Sequence, residues 1–208
     1  MMVRLQRKSS QKSSHSDAST TQSSPVASAS NLPPGFIAPT KPPYLWRVTD
    51  STSLTRIDPS TGSFDTGVCL WGHWSYWTSI INPRNLNAQI DWSHKFTPSG
   101  HGDPPLFISA TDDSQWAYEE FDRRMQRRRR HVRINVIDTA ALEWELAFLE
   151  NGSRLPVLRD KETGCTFFSS EGASGALGWV NPYRSRSEWF AIKCIPAKVI
   201  LPEAWGDD

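Results

Sequence analysis

Cysteine is scarce in this chain: Cys69, Cys165 and Cys194 are the only three in 208 residues. They lie far apart, form no C-x-x-C pair and have no paired histidines beside them. Neither a disulfide framework nor a metal site is expected. Each reads instead as a small buried hydrophobe, Cys194 most clearly. Long apolar runs are also missing, and none approaches the roughly 20 residues that a membrane span needs. The amino terminus, "MMVRLQRKSSQKSSHS", lacks the apolar stretch of a secretion signal. Its Arg, Lys and Ser residues, with no acid before Asp17, read as a basic tail rather than a transit peptide. The expectation is a soluble, intracellular protein, cytoplasmic or nuclear. A formal net charge of +1 calls for no polyanion partner, so charge has to be read locally.

The chain does have 10 tryptophans, 9 phenylalanines and 15 prolines, which fits a compact aromatic-rich domain joined to a poorly folding segment. From Ser9 to Ser30 nearly every residue is small or polar, so burial cannot offset the entropy of ordering, and disorder is expected. The proline-spaced stretch "NLPPGFIAPTKPPY" reads as an extended connector. This divides the chain into a Ser/Pro-rich tail and linker over 1–43 and one domain over 44–208.

Within the domain, "YLWRVTD" is a strand by its aromatic and β-branched content, with Leu45, Arg47 and Thr49 on one face. "CLWGHWSYWTSII" places Trp71, Trp74, Thr78 and Ile81 at helical spacing, a series that reads as core. The stretch "NPRNLNAQIDWSHKFTPSGHGDPP" is polar and turn-rich, and it predicts irregular structure. "LFISA" is a strand with Phe107 and Ser109 on one face. "TDDSQWAYEEFDRRMQRRRR" predicts a helix with Asp112 as N-cap and Gln115 as its reciprocal partner, acids early and arginines late. "HVRINVID" alternates as a strand, while "TAALEWELAFLE" is a short helix or an irregular apolar segment. One or two short strands and a Gly/Ser loop then lead to "SEWFAIKCIPAKVI". There Glu188 opens a strand and shares its face with Phe190, Ile192 and Cys194. A carboxylate on such a face has to find partners or shift its pKa.

Three polar residues therefore stand on apolar strands: Arg47, Ser109 and Glu188. Their order resembles the Arg, Ser-x-Ser/Thr, Glu pattern of the ADP-ribosyltransferases related to cholera toxin and heat-labile enterotoxin. "YLWRVTD" resembles that family's first strand with its NAD-binding arginine. "LFISATDDSQWA" resembles its Tyr-Val-Ser-Thr-Ser strand and following helix, with Thr111 as the second hydroxyl. The catalytic Glu of the toxins precedes an apolar strand and then Ile-Pro at the same offset as Glu188 precedes Ile195 and Pro196. The resemblance runs from about Tyr44 to Pro202. A layout of the form "lWR … FIS … IDt … E … IP" equally resembles a large fungal family of uncharacterised domains.

The toxin resemblance implies an α+β fold of two small, mainly antiparallel sheets packed together, with flanking helices and a cleft between the sheets. It implies NAD as substrate, with Glu188 accepting a hydrogen bond from the ribose 2'-OH as oxocarbenium charge grows. Arg47 would take the dinucleotide phosphates, Ser109 would hold Glu188, and His94 would lie near the nicotinamide ribose. The loop from Gly175 to Ser187 would choose the acceptor, a protein or a nucleic acid. Arginine-modifying members carry a second Glu two positions before the catalytic one, whereas this chain has Arg186. Arginine is therefore not the expected acceptor. The alternative is a non-catalytic interaction module of the same fold. The run "RRMQRRRRHVR" is first a solvated helix end and otherwise a polyanion contact centred on Arg127, Arg128, Arg129 and Arg130.

Overall fold

The computed structural model describes residues 38–66, 78–94, 106–179, 187–202 and 205–206. The Ser-rich tail, the tryptophan series from Trp71 to Trp77, Cys69 and Arg186 lie outside them.

Among the described residues the fold is α+β, built on a large antiparallel sheet with three α-helices. Strand β1 (Tyr44–Thr49) is followed by β2 (Phe64–Asp65), helix α1 (Pro83–His94), β3 (Phe107–Thr111) and helix α2 (Ser114–Gln126). Then come β4 (Arg133–Asp138), β5 (Glu143–Phe148), β6 (Arg154–Arg159), β7 (Thr166–Ser169) and helix α3 (Ser170–Leu177). The chain closes with β8 (Glu188–Ile192), β9 (Cys194–Ile195) and β10 (Trp205–Gly206). Eight strands form one sheet in the order β10-β4-β1-β3-β8-β7-β6-β5, and β2 pairs with β9 in a second sheet of two. Hydrogen bonding is thus continuous across the large sheet, where two small sheets were expected.

Two apolar clusters lie on opposite faces of the central strands. Leu45, Ile108, Ala110, Trp189 and Ala191 project to one face and meet Phe64 and Ile195 of the small sheet. Phe107, Phe190 and Ile192 project to the other, where they meet Phe168, Leu86 of α1 and Ala173 of α3. The rings of Phe107, Phe168 and Phe190 pack with centroids 5.3 to 5.9 Å apart. A third cluster packs Ala117 of α2 on Val48 and Ile134.

Several elements differ from expectation for identifiable local reasons. The "NPRNLNAQIDWSH" segment is helical, not irregular. Asn82 caps it by accepting from the Asn85 N–H at 3.0 Å, and Pro83 takes the first helical position, where a missing N–H costs nothing. The Ser/Gly stretch after β7 is also a helix. Ser169 caps it by accepting from Gly172 N–H, and Gly178 ends it at φ 63, in the left-handed region that glycine adopts without strain. "EWELAF" is strand β5, paired residue for residue with β6. Helix α2 is capped by Asp113, which accepts from Trp116 N–H, rather than by Asp112. Strand β8 stops at Ile192 because Lys193 turns to φ 76, so Cys194 leaves the Glu188 face and pairs with Asp65 in the small sheet. Of the two described cysteines, Cys165 is buried and Cys194 only partly so. Among the described residues no helix is long and apolar enough to cross a membrane.

Candidate functional site

Strands β1, β3 and β8 are consecutive in the sheet, which makes the segments carrying Arg47, Ser109 and Glu188 hydrogen-bonded neighbours. Thr111 pairs with Trp46 on one side and with Glu188 on the other, and Ser109 pairs with Phe190. Because directly paired residues share a face, Ser109, Thr111 and Glu188 project to the same side of the sheet. Glu188 stands directly opposite Thr111 and diagonally from Ser109, a separation of roughly 7–8 Å for such diagonal pairs.

The junction between the end of β3 and the start of β8 is tied at several points. The Asp112 N–H donates to the Ser187 carbonyl at 3.1 Å, and the Thr111 hydroxyl donates to Ser187 Oγ at 3.2 Å. Trp189 Nε1 donates to Asp112 Oδ2 at 3.0 Å, and the Asp113 N–H donates to Thr111 Oγ1 at 3.1 Å. These bonds fix the backbone on which Glu188 sits. Asp112, read from sequence as a helix cap, is instead a partner of the Glu188 strand. Thr111 anchors the same junction, so its hydroxyl is engaged with protein groups.

Ser109 is covered by α1, and Gln89 Nε2 donates to its Oγ at 3.4 Å. The same helix is held to the chain after α3 by Trp179 Nε1, which donates to Asn87 Oδ1 at 2.9 Å. His94 is the last residue of α1, and its side chain lies outside the described part.

Arg47 is placed differently. The pairing of Trp46 with Thr111 sets Arg47 on the opposite face, beside Leu45 and Ala110. Its guanidinium spans to β3, where Nη1 donates to the Ser109 main-chain carbonyl at 2.6 Å. Nη2 donates to the Thr55 carbonyl at 3.1 Å and also to the Thr55 hydroxyl. The group lies over the Phe64 ring at 5.1 Å, a cation–π contact. Its Nε is buried without a hydrogen-bond partner, and among the described residues no carboxylate pairs with it. Burial first, and the neighbouring charge of Arg124 second, pull its pKa down to about 9. Arg47 therefore meets Ser109 through the backbone and does not share a face with the Glu188 carboxylate.

The nearest acid along β1, Asp50, is committed elsewhere. It accepts from Arg124 Nη1 at 3.2 Å and from Thr52 N–H and Oγ1, each at 2.6 Å. Burial would raise its pKa, but the Thr52 hydrogen bonds and the charges of Arg124 and Arg129 hold it below the usual carboxylate range.

Thr55, Gln89 and Ser187 are residues that the sequence alone did not flag, and Asp112 was flagged for a different role. No motif marks these bonds, since each joins segments that the sequence does not show to be adjacent. Among the described residues no group of His, Cys, Asp or Glu could hold a metal ion.

A family model described as "Domain of unknown function (DUF7587)" matches residues 40–204. The chain belongs to the DUF7587 family. The matched span includes every strand of the large sheet except the final two-residue β10, and it carries Arg47, Ser109, Thr111 and Glu188 together. No curated protein and no solved structure matches this DUF7587 chain.

Proposed function

We propose that the domain cleaves the bond between nicotinamide and ribose in NAD, passing ADP-ribose to water or to an acceptor other than arginine. The observation that carries this is the shared face of Ser109, Thr111 and Glu188 on adjacent strands, with the Arg47 guanidinium bonded to the Ser109 backbone from the third. In the proposed step the C–N bond breaks and its electron pair leaves with nicotinamide, which departs neutral. The ribose carbon becomes cationic, an acceptor lone pair forms the new bond, and the acceptor releases a proton. The Glu188 carboxylate accepts the hydrogen bond from the ribose 2'-OH, which strengthens as the sugar becomes electron-poor. Ser109, held by Gln89, orients the neighbouring carboxylate, and the ADP-ribosyltransferase arrangement of sheets belongs to the same proposal.

For Arg47 the proposal assigns a positioning role rather than direct contact with the phosphates. Three of its donor contacts go to protein oxygens, and they fix β3 at Ser109 and the turn at Thr55. A group so engaged has few donors left for a dinucleotide.

The test is nicotinamide release from NAD by the full chain, followed chromatographically with and without added nucleic acid or protein acceptors. Glu188→Gln keeps the shape and removes the charge, so turnover drops by about two to three orders of magnitude while the melting temperature stays within a few degrees. Equal NAD consumption by the variant removes Glu188 from the chemistry. No heat of binding at millimolar NAD removes the dinucleotide altogether.

A further inference from the structure

The arginines at the end of α2 fall into two sets. Arg123 and Arg124 sit inside the helix and are neutralised: both pair with Glu120, and Arg124 also pairs with Asp50. Arg127, Arg128, Arg129 and Arg130 follow in the loop, all exposed, and no ion pair holds any of them among the described residues. The acids of α2 lie at or before Asp122, and Asp50, which is already paired with Arg124, also feels the charge of Arg129. One shared carboxylate against four arginines leaves the loop strongly positive.

The loop is not a frayed end. The Arg127 N–H donates to the Arg123 carbonyl at 3.1 Å, Arg128 N–H to Met125 at 2.8 Å and Arg129 N–H to Arg124 at 3.1 Å. The Ser51 N–H donates to the Arg130 carbonyl at 2.8 Å and ties the loop to the turn after β1. Arg128 and His131 both adopt φ 54, a conformation disfavoured without glycine that persists where surrounding bonds over-determine it. Arg56 adds a further cation from that same turn, where it donates to the Ser51 and Ser53 carbonyls. Five guanidinium groups are therefore presented on a backbone that is already ordered, which lowers the entropy cost of binding.

We propose that this loop binds the phosphate backbone of double-stranded nucleic acid without reading its sequence. Four consecutive arginines favour phosphate, because each planar fork can bond two oxygens. A duplex offers the density to match, about one negative charge per 1.7 Å of axis. A tight turn presents no helix or ribbon to enter a groove, which limits contact to the backbone. Single-strand binding is disfavoured because the exposed aromatics Trp116 and Tyr118 stand near the start of α2, separated from the loop by Glu119, Glu120 and Asp122. A membrane is disfavoured because Leu54 is the one large exposed apolar residue in the adjoining turn, too little to insert. This surface is separate from the Glu188 site, which lies at the opposite end of α2, so the two proposals stand or fall independently.

The experiment is fluorescence anisotropy of the full chain on a short labelled duplex, alongside sedimentation with phosphatidylserine vesicles. Neutralising four phosphates gives a log–log salt slope of about −3.6, a loss of about 150-fold in affinity between about 50 and about 200 mM salt. The variant R127Q/R128Q/R129Q/R130Q, changed only at exposed side chains, loses most of the low-salt affinity and flattens the slope. The control R154Q/K161Q, at the start of β6 and in the turn after it, on the other side of the sheet from β4, keeps both. Absent duplex binding by the unaltered chain, equal binding by the quadruple variant, equal loss in the control, or binding to vesicles but not to duplex would each overturn the proposal.

Discussion

The two faces of strands β1, β3 and β8 solve the same problem in opposite ways. On one face Arg47 is packed among apolar side chains, with neutral oxygens as its acceptors and an aromatic ring over its charge. On the other, Ser109 and Glu188 sit where the aromatic cluster of Phe107, Phe168 and Phe190 gives way to a hydrogen-bonded strand junction. The first face uses a cation to hold backbone. The second keeps a hydroxyl and a carboxylate on strands whose geometry is fixed by others. A polar residue on a central strand can therefore be a clamp, as Arg47 is, or, under the proposed function, a reagent, as Glu188 would be.

The comparison can be broken most severely through Phe190, whose ring meets Phe107, Phe168 and Trp179 on the Ser109 face. Phe190→Ala should cost about 3–5 kcal/mol in denaturant unfolding; a loss below about 1 kcal/mol would show that the face is loosely packed. Arg47→Met keeps apolar bulk but strips the donors from the Ser109 carbonyl and Thr55. We expect about 2 kcal/mol of destabilisation. A more stable variant would mean that removing the charge from water outweighs its bonds, and that the clamp exists for another reason. The smallest effect concerns Asp50, whose carboxyl is held low in the folded state. Its contribution is complete above the unfolded carboxylate pKa of about 3.9 and is lost as pH falls through the lower folded value. Thermal melts between pH 6 and 3 should thus show a decline that Asp50→Asn makes shallower, at a cost of about 1 kcal/mol at neutral pH. Identical pH profiles would remove Asp50 from the acid response.

The strands β1, β3, β4 and β8 were legible because their apolar residues alternate, and alternation is a local property. Helices α1 and α3 were not, because their interiors look like loops: α1 is rich in asparagine, and α3 in serine and glycine. Their caps, Asn82 with Pro83 at the start of α1 and Ser169 and Gly178 at the two ends of α3, were the only local signals, and each rests on two residues. Strand β5 was ambiguous because half its residues are charged or exposed, and its pairing with β6 settles it. At the site, the sequence supplied Arg47, Ser109 and Glu188 in order and put Leu45 and Arg47 on one face. It could not supply the register of β1 on β3. A slip of one residue would exchange the faces, so the separation of Arg47 from Glu188 is a property of pairing that no motif encodes.

Lys193 has a mechanical consequence. Its left-handed turn lets one run of chain serve two sheets, with Glu188 at its start and Ile195, paired to the phenylalanine that lies over Arg47, near its end. That residue is the corner between the two ladders. Five residues of β8 and this one corner are all that separate the carboxylate from the strand that backs the ring over the guanidinium, so a substitution that straightens Lys193 would misplace both at once.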